Sequence, residues 1–547
     1  MASYNLGDLL QLVAGANPDR LAVVGGGHRL TFGEFDRRTN QVGRALLALG
    51  CEPESKVAVY AWNRIEWPEL FFGSFKARVV PINVNYRYVA HELEYLFDNS
   101  DSEVVFFERG FAPIIDEVRD KLTKVRHWVV MEDGSDQPTP WAQHYDEVIG
   151  AQSDEPFDNG RSGDDLYFLY TGGTTGMPKG VMWRHEDIFF AALTGGLGPE
   201  PITAPEQIAE RSLPADFALP SLIIAPLMHG AAQWGMCNMM FAGGPVVLYT
   251  SHGLDPHEVW DIAARERCAT ITLVGDAMGR PLADALTDGT RTHDVSGVFR
   301  IGSGGGVFSP AVQDALRAAI PHVMVMDSYG ASETGAGGMA TEGGARRFVV
   351  SPELQVLDEE LRPLAPGSER TGMLARTGHI PLGYYKDPEK TAKTFPVDAD
   401  GRRWSVPGDS ATVDADGVVT LLGRGSQCIN TGGEKVYPEE VEEVLKAHPA
   451  IYDALVVGVP DERWGERVVA VVRAREGLTV ELDDVASHCR HSIAGYKVPR
   501  DLFVVDHVVR SPSGKADYRW AKSVALGPES GVASGTVSGD RSGSDHA

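Results

Sequence analysis

The chain has 547 residues, an ordinary apolar fraction of 43% and a formal net charge of −26. This length predicts more than one domain, and the negative charge argues against nucleic acid or an anionic membrane as a partner. The five cysteines lie far apart and form no CxxC pair, which argues against a zinc site or a disulfide framework and favours a cytoplasmic location with reduced thiols. We expect no secretory signal and no transmembrane segment.

The first part of the chain alternates predicted helices with predicted strands. Thr31 and Glu34, three residues later, form a capping box that predicts the start of a helix with one apolar face. Gly50 is predicted to end this helix. Strands that alternate with helices predict parallel βαβ units in a layered α/β sheet. The further predictions here are strands at 56–60, 79–82 and 104–107 and helices at 69–76 and 91–97.

A loop rich in glycine and threonine follows the apolar strand Leu166–Tyr170. Its glycines allow backbone N–H groups to surround an anion, its threonines add donors, and Lys179 adds a positive charge. The spacing is not that of the Walker A motif, because Pro178 stands where the second glycine would be. The loop therefore predicts a polyphosphate site, with a flexible loop lacking a ligand as the alternative. Its residues are Thr171, Gly172, Gly173, Thr174, Thr175, Gly176, Met177, Pro178 and Lys179.

Beyond this loop the alternation continues, with strands expected at 246–249, 270–274 and 324–326. Residues 198–220 carry five prolines and little periodicity, which predicts a surface loop or lid. Residues 301–306 lack a GxGxxG register, so a tight turn after a strand competes with a nucleotide-binding loop. The strand at 324–326 places 327–334 at its carboxyl end, where open α/β sheets bind ligands.

The last part of the chain predicts a smaller α+β domain. A hairpin at 411–419 contains Asp-Ala-Asp-Gly, which indicates turn chemistry rather than a calcium loop because the later ligands are missing. Small residues at 421–426 suit a hinge, and the chain from Gly527 has the composition of a disordered tail. The remaining predictions are strands at 455–457, 468–472 and 503–505 and helices at 439–445 and 483–493.

Four side chains between residues 329 and 409 have types that suit nucleotide chemistry. Tyr329 can stack on a purine and Ser332 can donate to an α-phosphate. Glu333 supplies a hard oxygen for Mg²⁺, and Asp409 can accept from two ribose hydroxyls. The structural alternatives are a core tyrosine, a solvated glutamate and a turn aspartate for three of them. Lys515 lies on a predicted turn, where a surface lysine is the ordinary interpretation.

Taken in order over nearly the whole chain, to about Lys522, these motifs resemble those of the adenylate-forming superfamily in its acyl-CoA synthetase branch. Residues 329–334 are similar to its Y-G-x-[ST]-E-T signature, and 383–391 are characteristic of the branch. The resemblance implies a nucleotide site formed by the loop above with Gly304, Gly305, Asp327, Ser328, Tyr329, Asp409 and Arg424. It implies catalysis by Lys515, Glu333 and Ser332, with a metal ion at Glu333 and Thr171. It also implies a hinge at Ser426 and a CoA tunnel at Gly432, Gly433 and Lys435. The implied acyl pocket is formed by His229, Trp234, Gly275, Asp276 and Gly305.

The fold implied is a large N-terminal layered α/β domain (1–424), a mobile C-terminal α+β domain (425–523) and a tail (524–547). The implied substrates are ATP, a carboxylic acid and CoA, with Mg²⁺. The acid attacks the α-phosphorus of ATP with Lys515 stabilising the developing charge. The small domain then turns about Ser426 and CoA takes the acyl group. Ser426 and Gln427 depart from the usual hinge residues, which bears on the ease of rotation rather than on the chemistry.

The acid is specified less closely. Small residues around 226–234 and 275–278 predict room for a bulky hydrophobic acid, and 181–188 with the proline-rich insertion resemble actinobacterial synthetases that activate steroid side-chain carboxylates. A long-chain fatty acid and a medium-chain or aromatic acid remain alternative substrates, and a carrier protein remains an alternative acceptor of the acyl group. Two alternative functions also remain, a non-catalytic nucleotide or lipid sensor and a luciferase-type oxygenase. A homo-oligomer is compatible with the sequence.

Overall fold

The computed structural model describes residues 3–172, 177–193, 195, 200–340, 346–431, 434–461, 463–510 and 515–527. The contacts divide the chain into two compact units. The first is Met1–Leu422 with Pro512–Lys515, and the second is Gly423–Ser511 with Ala516–Ala547. Residues 528–547 of the predicted disordered tail lie outside the described residues. Its predicted start at 524 is wrong, because a helix extends over Tyr518–Leu526 and buries Ala521 and Ala525. Among those residues, every helix is too short or too polar to cross a lipid bilayer.

The strands are numbered in chain order. They are β1 Leu21–Gly25, β2 His28–Thr31, β3 Lys56–Tyr60, β4 Val80–Asn83, β5 Ser102–Glu108, β6 His127–Met131, β7 Gln143–His144, β8 Leu166–Thr171, β9 Lys179–Arg184, β10 Ser221–Ile223, β11 Val246–Leu248, β12 Thr270–Leu273, β13 Arg300–Gly304, β14 Met324–Ala331, β15 Gly335–Ala340, β16 Arg347–Val350, β17 Leu354–Leu357, β18 Gly372–Arg376, β19 Gly383–Tyr384, β20 Asp409–Val413, β21 Val419–Arg424, β22 Ile429–Thr431, β23 Glu434–Val436, β24 Ile451–Asp461, β25 Gly465–Ala474 and β26 Asp501–Val504.

The α-helices are numbered in the same way. They are α1 Leu6–Ala16, α2 Phe32–Ala48, α3 Glu66–Lys76, α4 Ala90–Asn99, α5 Ala112–Asp116, α6 Tyr145–Gly150, α7 His185–Ala192, α8 Gln207–Glu210, α9 Gly230–Phe241, α10 Pro256–Arg265, α11 Gly275–Ala285, α12 Pro310–Ala319, α13 Pro388–Thr394, α14 Pro438–Lys446, α15 Leu482–Arg490 and α16 Tyr518–Leu526.

The first unit contains two sheets with parallel strands. The larger has the order β17-β18-β20-β21-β16-β15-β14-β13-β12-β10-β11-β1-β2, and its central strands from β14 to β1 pair in parallel. The other, β4-β3-β5-β6-β7, is parallel throughout. Helices cover these sheets, as the alternation of elements predicts, so the expected layered α/β fold is confirmed.

A small antiparallel sheet, β19-β9-β8, joins distant parts of the first unit. Tyr167 and Leu169 of β8 belong to the largest apolar core, with residues of α1, α2 and α3. Phe168 and Tyr170 belong to another core, with residues of β3, β4 and β5. Because successive side chains of a strand point to opposite faces, β8 is buried on both sides and holds the start of the glycine-rich loop firmly.

The second unit is the expected small α+β domain. Its sheet has the order β23-β22-β25-β24, with β26 parallel to β25. Helices α14 and α15 share one apolar core with this sheet, and α16 lies in a second.

Most predicted elements are confirmed. Thr31 Oγ1 accepts from the N–H of Glu34, and Glu34 Oε2 accepts from the N–H of Thr31, which is the predicted capping box. Asp414 Oδ1 accepts from the N–H groups of Asp416 and Val418, as the predicted turn requires. The structure differs in the proline-rich stretch, where α8 forms and buries Ile208, and in α15, which ends at Arg490 rather than 493.

Candidate active site

The glycine-rich loop connects β8 and β9, which form an antiparallel hairpin with Thr171 opposite Lys179. Gly172 and Met177 are exposed, and Pro178 is buried. Gly173, Thr174, Thr175 and Gly176 lie outside the described residues. The predicted anion site therefore begins and ends on two strands whose register is set by the core.

Lys179 forms an ion pair with Asp387, which lies just before α13. The hydrogen bond from Lys179 lowers the pKa of Asp387, so the Asp387 carboxyl is ionised at neutral pH. From sequence, the segment around Asp387 resembles a feature of the family but has no predicted role. No local pattern connects these two residues, because they lie 208 positions apart.

Strands β13 and β14 are parallel neighbours that bring together three predicted nucleotide-binding residues, Gly304, Asp327 and Ser328. Ser303 lies opposite Asp327 and Gly304 lies opposite Ser328. Gly305 has φ +82°, so the chain leaves β13 through the tight turn that the sequence left open as a possibility. Burial raises the pKa of Asp327 to about 8, and its side chain is therefore mostly protonated at pH 7.

Tyr329 and Asp409 meet directly. The Tyr329 hydroxyl donates to Asp409 Oδ2 at 2.8 Å, and Tyr329 is 9% exposed. Asp409 begins β20 immediately after Gly408, whose φ of +105° favours glycine. The structure thus places the residue predicted to contact the base beside the residue predicted to contact the ribose.

Three buried side chains bind the backbone of the turn between β14 and β15, which carries Ser332 and Glu333. Trp183 Nε1 donates to the carbonyl oxygen of Ser332 at 2.9 Å, and the Ser405 hydroxyl donates to that of Glu333 at 2.6 Å. Arg376 Nη1 donates to the carbonyl of Thr334 at 2.8 Å and also to those of Ala191 and Ala336. These contacts, which the sequence analysis missed, place the turn without help from a ligand.

The Glu333 carboxylate has a partner of its own. The Tyr384 hydroxyl donates to Glu333 Oε1 at 2.8 Å. A neutral donor holds the carboxylate without cancelling its charge, and a carboxylate has further acceptor sites. Within the described residues, no group of three or more His, Cys, Asp and Glu side chains could enclose a metal ion.

The predicted acyl pocket surrounds the start of α9. His229 is the residue before this helix, and its buried Nε2 has no hydrogen-bond partner among the described residues. Burial lowers the pKa of His229 to about 3, so the imidazole is neutral at pH 7. Trp234 packs partly buried against the largest core. A Cβ at Gly305 would lie 3.7 Å from Cβ of Ala231, which places these two residues face to face.

The small residues of this region do not all leave space for a substrate. A Cβ at Gly230 would lie 2.6 Å from Leu169 Cδ2, and one at Gly275 (φ +55°) would collide with the carbonyl oxygen of Val307. Ala232 is fully buried in the core. The Asp276 side chain accepts from the N–H and hydroxyl of Ser309. Close packing therefore accounts for Gly230, Gly275 and Ala232, while Ala231 and Gly305 stay candidates for the pocket wall.

The remaining predicted residues are distributed over both units. Arg424 ends β21, and Lys435 is exposed on β23. Ser426 lies in the short 3₁₀ turn 425–427, and its side chain is outside the described part of the chain. Gly432 and Gly433 are outside it as well. Lys515 is exposed and is grouped with the first unit.

Two curated relatives align with almost the whole chain. The 3-oxocholest-4-en-26-oate–CoA ligase of Rhodococcus rhodochrous is 44% identical over 535 residues, covering 95% of this chain and 96% of that protein. A ligase of Mycolicibacterium smegmatis named for medium/long-chain fatty acids and 3-oxocholest-4-en-26-oate is 42% identical over 537 residues, with coverages of 95% and 96%.

The fold has a solved counterpart in an anthranilate CoA ligase in complex with anthranoyl-AMP. That structure matches with a TM-score of 0.83 at 23% identity, covering 96% of this chain and 98% of the other, which is a likeness of fold. Residues 10–385 match the AMP-binding enzyme family, and residues 440–515 match the AMP-binding enzyme C-terminal domain. With the nucleotide-site motifs in the family's order, the chain belongs to the AMP-binding, adenylate-forming enzyme family.

Proposed function

We propose that this protein is an ATP-dependent acyl-CoA synthetase that activates a bulky hydrophobic carboxylic acid, a steroid side-chain acid or a long-chain fatty acid. The observation that carries the proposal is the 44% identity over 95% of the chain to a ligase named for a steroid side-chain acid. The presence of Glu333 and Lys515 speaks against a sensor without catalytic activity.

In the first half-reaction, the substrate carboxylate attacks the α-phosphorus of ATP and pyrophosphate leaves. Tyr329 and Asp409 would hold the adenosine, the hairpin loop with Lys179 would hold the leaving phosphates, and Ser332 would donate to the α-phosphate. Lys515 would stabilise the negative charge that develops on the α-phosphoryl oxygens, since fixed charges aimed at developing charge are the strongest catalytic contribution in such reactions.

Magnesium fits the residues that are present. Mg²⁺ usually binds one or two carboxylates together with substrate phosphates and water rather than an all-protein cage. Glu333 is such a single carboxylate, held by a neutral donor, and the hydroxyl of Thr171 at the end of β8 is a second oxygen. When bound, the ion neutralises polyphosphate charge.

In the second half-reaction, the CoA thiolate attacks the acyl-adenylate carbonyl and AMP leaves. We assign Gly432, Gly433 and Lys435 to the CoA tunnel and Ser426 to the hinge between the half-reactions, on the family resemblance. Glycines there would leave room for the pantetheine arm. We place the reaction in the cytoplasm, where reduced thiols such as those of the five free cysteines persist.

A substrate panel tests the proposal. Steroid side-chain, long-chain, medium-chain and aromatic acids are each incubated with ATP, with and without CoA, and AMP, pyrophosphate and thioester are measured. We expect CoA-dependent AMP release with a steroid or long-chain acid. Acyl-adenylate that accumulates and transfers only to a carrier protein would support the alternative acceptor, and best activity with acetate would contradict the bulky-acid proposal.

The size of the pocket is tested at Ala231. It is partly exposed and faces Gly305, whereas a Phe at the fully buried Ala232 would disrupt the core. We expect Ala231→Phe to lower kcat/KM for the bulky acid by about 10²-fold, since three or four lost methylene contacts at about 0.8 kcal/mol each suffice. Short acids should be little affected. An equal loss for all acids would remove Ala231 from the pocket.

A further inference from the structure

The segment Gly383–Thr391, which we call the anchor segment, has two side chains that reach two residues of the candidate active site. Tyr384 donates to Glu333, and Asp387 pairs with Lys179. Glu333 lies on the turn after β14, and Lys179 ends the glycine-rich loop. One short segment therefore contacts both predicted polyphosphate-binding regions.

The backbone of the anchor segment is fixed relative to the hairpin. Its first residues form β19, which pairs with β9 through Gly383 opposite Met182 and Tyr384 opposite Val181. The N–H of Tyr385 donates to the carbonyl of Gly180 at 2.8 Å. Any movement of the segment would therefore break hydrogen bonds to the strand that begins with Lys179.

Thr391 closes the segment on itself. Its hydroxyl accepts from the N–H of Tyr384 at 2.9 Å and donates to the carbonyl of Asp387 at 2.7 Å. A Cβ at Gly383 would collide with the Thr391 side chain, so only glycine allows this approach. The tight loop holds Tyr384 and Asp387 at a constant spacing.

The two side chains are held as firmly as the backbone. Tyr384 is 6% exposed and packs against Phe395, with ring centroids 5.7 Å apart. Asp387 Oδ1 accepts from the N–H of Lys390 at 2.9 Å and caps α13, while Oδ2 pairs with Lys179. The Asp387 carboxylate and the Tyr384 phenol therefore each have one orientation in which they make all of these contacts.

We propose that Tyr384 and Asp387 are positioning residues of the adenylation site: Tyr384 orients the Glu333 carboxylate and Asp387 orients the Lys179 ammonium. The inference rests on the proposed function, because it assumes that Glu333 and Lys179 handle the polyphosphate. Neither positioning residue contacts the reacting atoms. Their effect is confined to adenylation and does not extend to thioester formation.

The adjacent tyrosines of the segment provide a matched test. Tyr384→Phe removes only the hydroxyl that binds Glu333. Tyr385→Phe removes the neighbouring hydroxyl. That hydroxyl donates to Asp101 over a distance of 2.7 Å, and Asp101 is not part of the candidate site. For each variant we would measure Mn²⁺ binding by electron paramagnetic resonance in the presence of a non-hydrolysable ATP analogue, together with pyrophosphate release and thioester formation from supplied acyl-adenylate.

For Tyr384→Phe we expect Mn²⁺ binding to weaken about 10-fold and the adenylation kcat to fall about 10-fold, the size expected for one hydrogen bond to a charged group. Thioester formation should be unchanged, and Tyr385→Phe should match the parent protein in all three measurements. Unchanged Mn²⁺ affinity in Tyr384→Phe, or the same loss in both variants, would overturn the role of Tyr384.

Asp387→Asn tests the proposed role of Asp387. It also keeps the proposal testable if the Tyr384→Phe variant does not fold. We expect the KM for ATP to rise about 5-fold to 10-fold, with thioester formation from acyl-adenylate retained. An unchanged KM would overturn the role of Asp387. Failure of the proposed function would look different, because the parent protein itself would then release no pyrophosphate with any acid of the panel.

Discussion

Two loops of the candidate active site are held in contrasting ways. In the turn that carries Ser332 and Glu333, consecutive carbonyl oxygens accept from Trp183, Ser405 and Arg376, all of them buried. In the glycine-rich loop, the described flanking residues Gly172 and Met177 are exposed. Its cation, Lys179, is 38% exposed and pairs with an Asp387 that is 28% exposed.

The two loops therefore differ in whether the protein itself fixes their conformation before a ligand binds. A buried hydrogen bond to a charged group contributes about 1.5–3 kcal/mol, whereas an exposed ion pair contributes about 0–1 kcal/mol. The turn is therefore preorganised by the protein, while the glycine-rich loop keeps its polar groups accessible to a ligand. Mutations that disturb the turn should affect both the stability of the protein and the adenylation rate. Mutations in the glycine-rich loop should affect ligand binding alone.

The largest effect is expected for Arg376→Met. The change leaves the carbonyls of Ala191, Thr334 and Ala336 without their cationic donor. We expect the free energy of unfolding to fall by about 3 kcal/mol or more, and pyrophosphate release to fall by at least about 10²-fold as the turn moves. Denaturant unfolding and single-turnover kinetics would measure the two losses.

Arg403→Met is the control, because Arg403 also donates to two carbonyls, of Pro381 and Leu382, but outside the turn. It should lose some stability and keep its adenylation rate. If both variants lose the same rate, the turn is not specifically held by Arg376.

A smaller effect is expected for Lys179→Ala, at the accessible loop. The KM for ATP should rise about 10-fold, while the melting temperature should change little because the pair is exposed. Lys386→Ala, which removes the comparably exposed ion pair between Asp101 and another residue of the anchor segment, should leave the KM unchanged. A large fall in melting temperature in Lys179→Ala would show that this loop too is preorganised by its ion pair.

Next in size is Trp183→Phe, which replaces the indole by a smaller buried aromatic ring and removes the donor to the carbonyl of Ser332. Loss of one such hydrogen bond costs about 1 kcal/mol, so the adenylation rate should fall about 5-fold. Thioester formation from supplied acyl-adenylate should not change. Kinetics identical to the parent protein would show that this contact does not help to position the turn.

The smallest effect concerns Asp327, on the strand that leads into the turn. Because its folded-state pKa is about 8 and its ordinary value is 3.8, the folded protein binds more protons than the unfolded chain between these values. Stability therefore falls as the pH rises through this window. Asp327→Asn should raise the melting temperature by about 3 °C at pH 8.5 and by less at pH 5.5. A gain that does not depend on pH would contradict a protonated Asp327.

The sequence predicts this fold well because its signals are local. The capping box of α2, the bounds of β3 and the turn at Asp414 depend on residues a few positions apart. Helix α8 was missed because prolines flank it and its four residues are too few to show a periodicity, although tertiary packing buries Ile208.

The site is predictable in part for the same reason. The residues that contact a ligand cluster in short motifs, whereas the residues that hold them come from elsewhere in the chain. Trp183 lies 149 positions from Ser332, and Tyr384 lies 51 positions from Glu333. Such pairs are set by the packing of whole strands, and no spacing pattern reveals them. The small residues near Gly275 cannot be assigned from sequence for another reason, since close packing and an open pocket favour the same residue types.

The most direct test of the two-step mechanism uses Lys515→Ala and measures each half-reaction by itself. We expect acyl-adenylate formation to fall by about 10²–10³-fold, the usual loss for one charge-stabilising donor. Thioester formation from supplied acyl-adenylate and CoA should proceed at the rate of the parent protein. An equal fall in both half-reactions would contradict a lysine that serves adenylation alone.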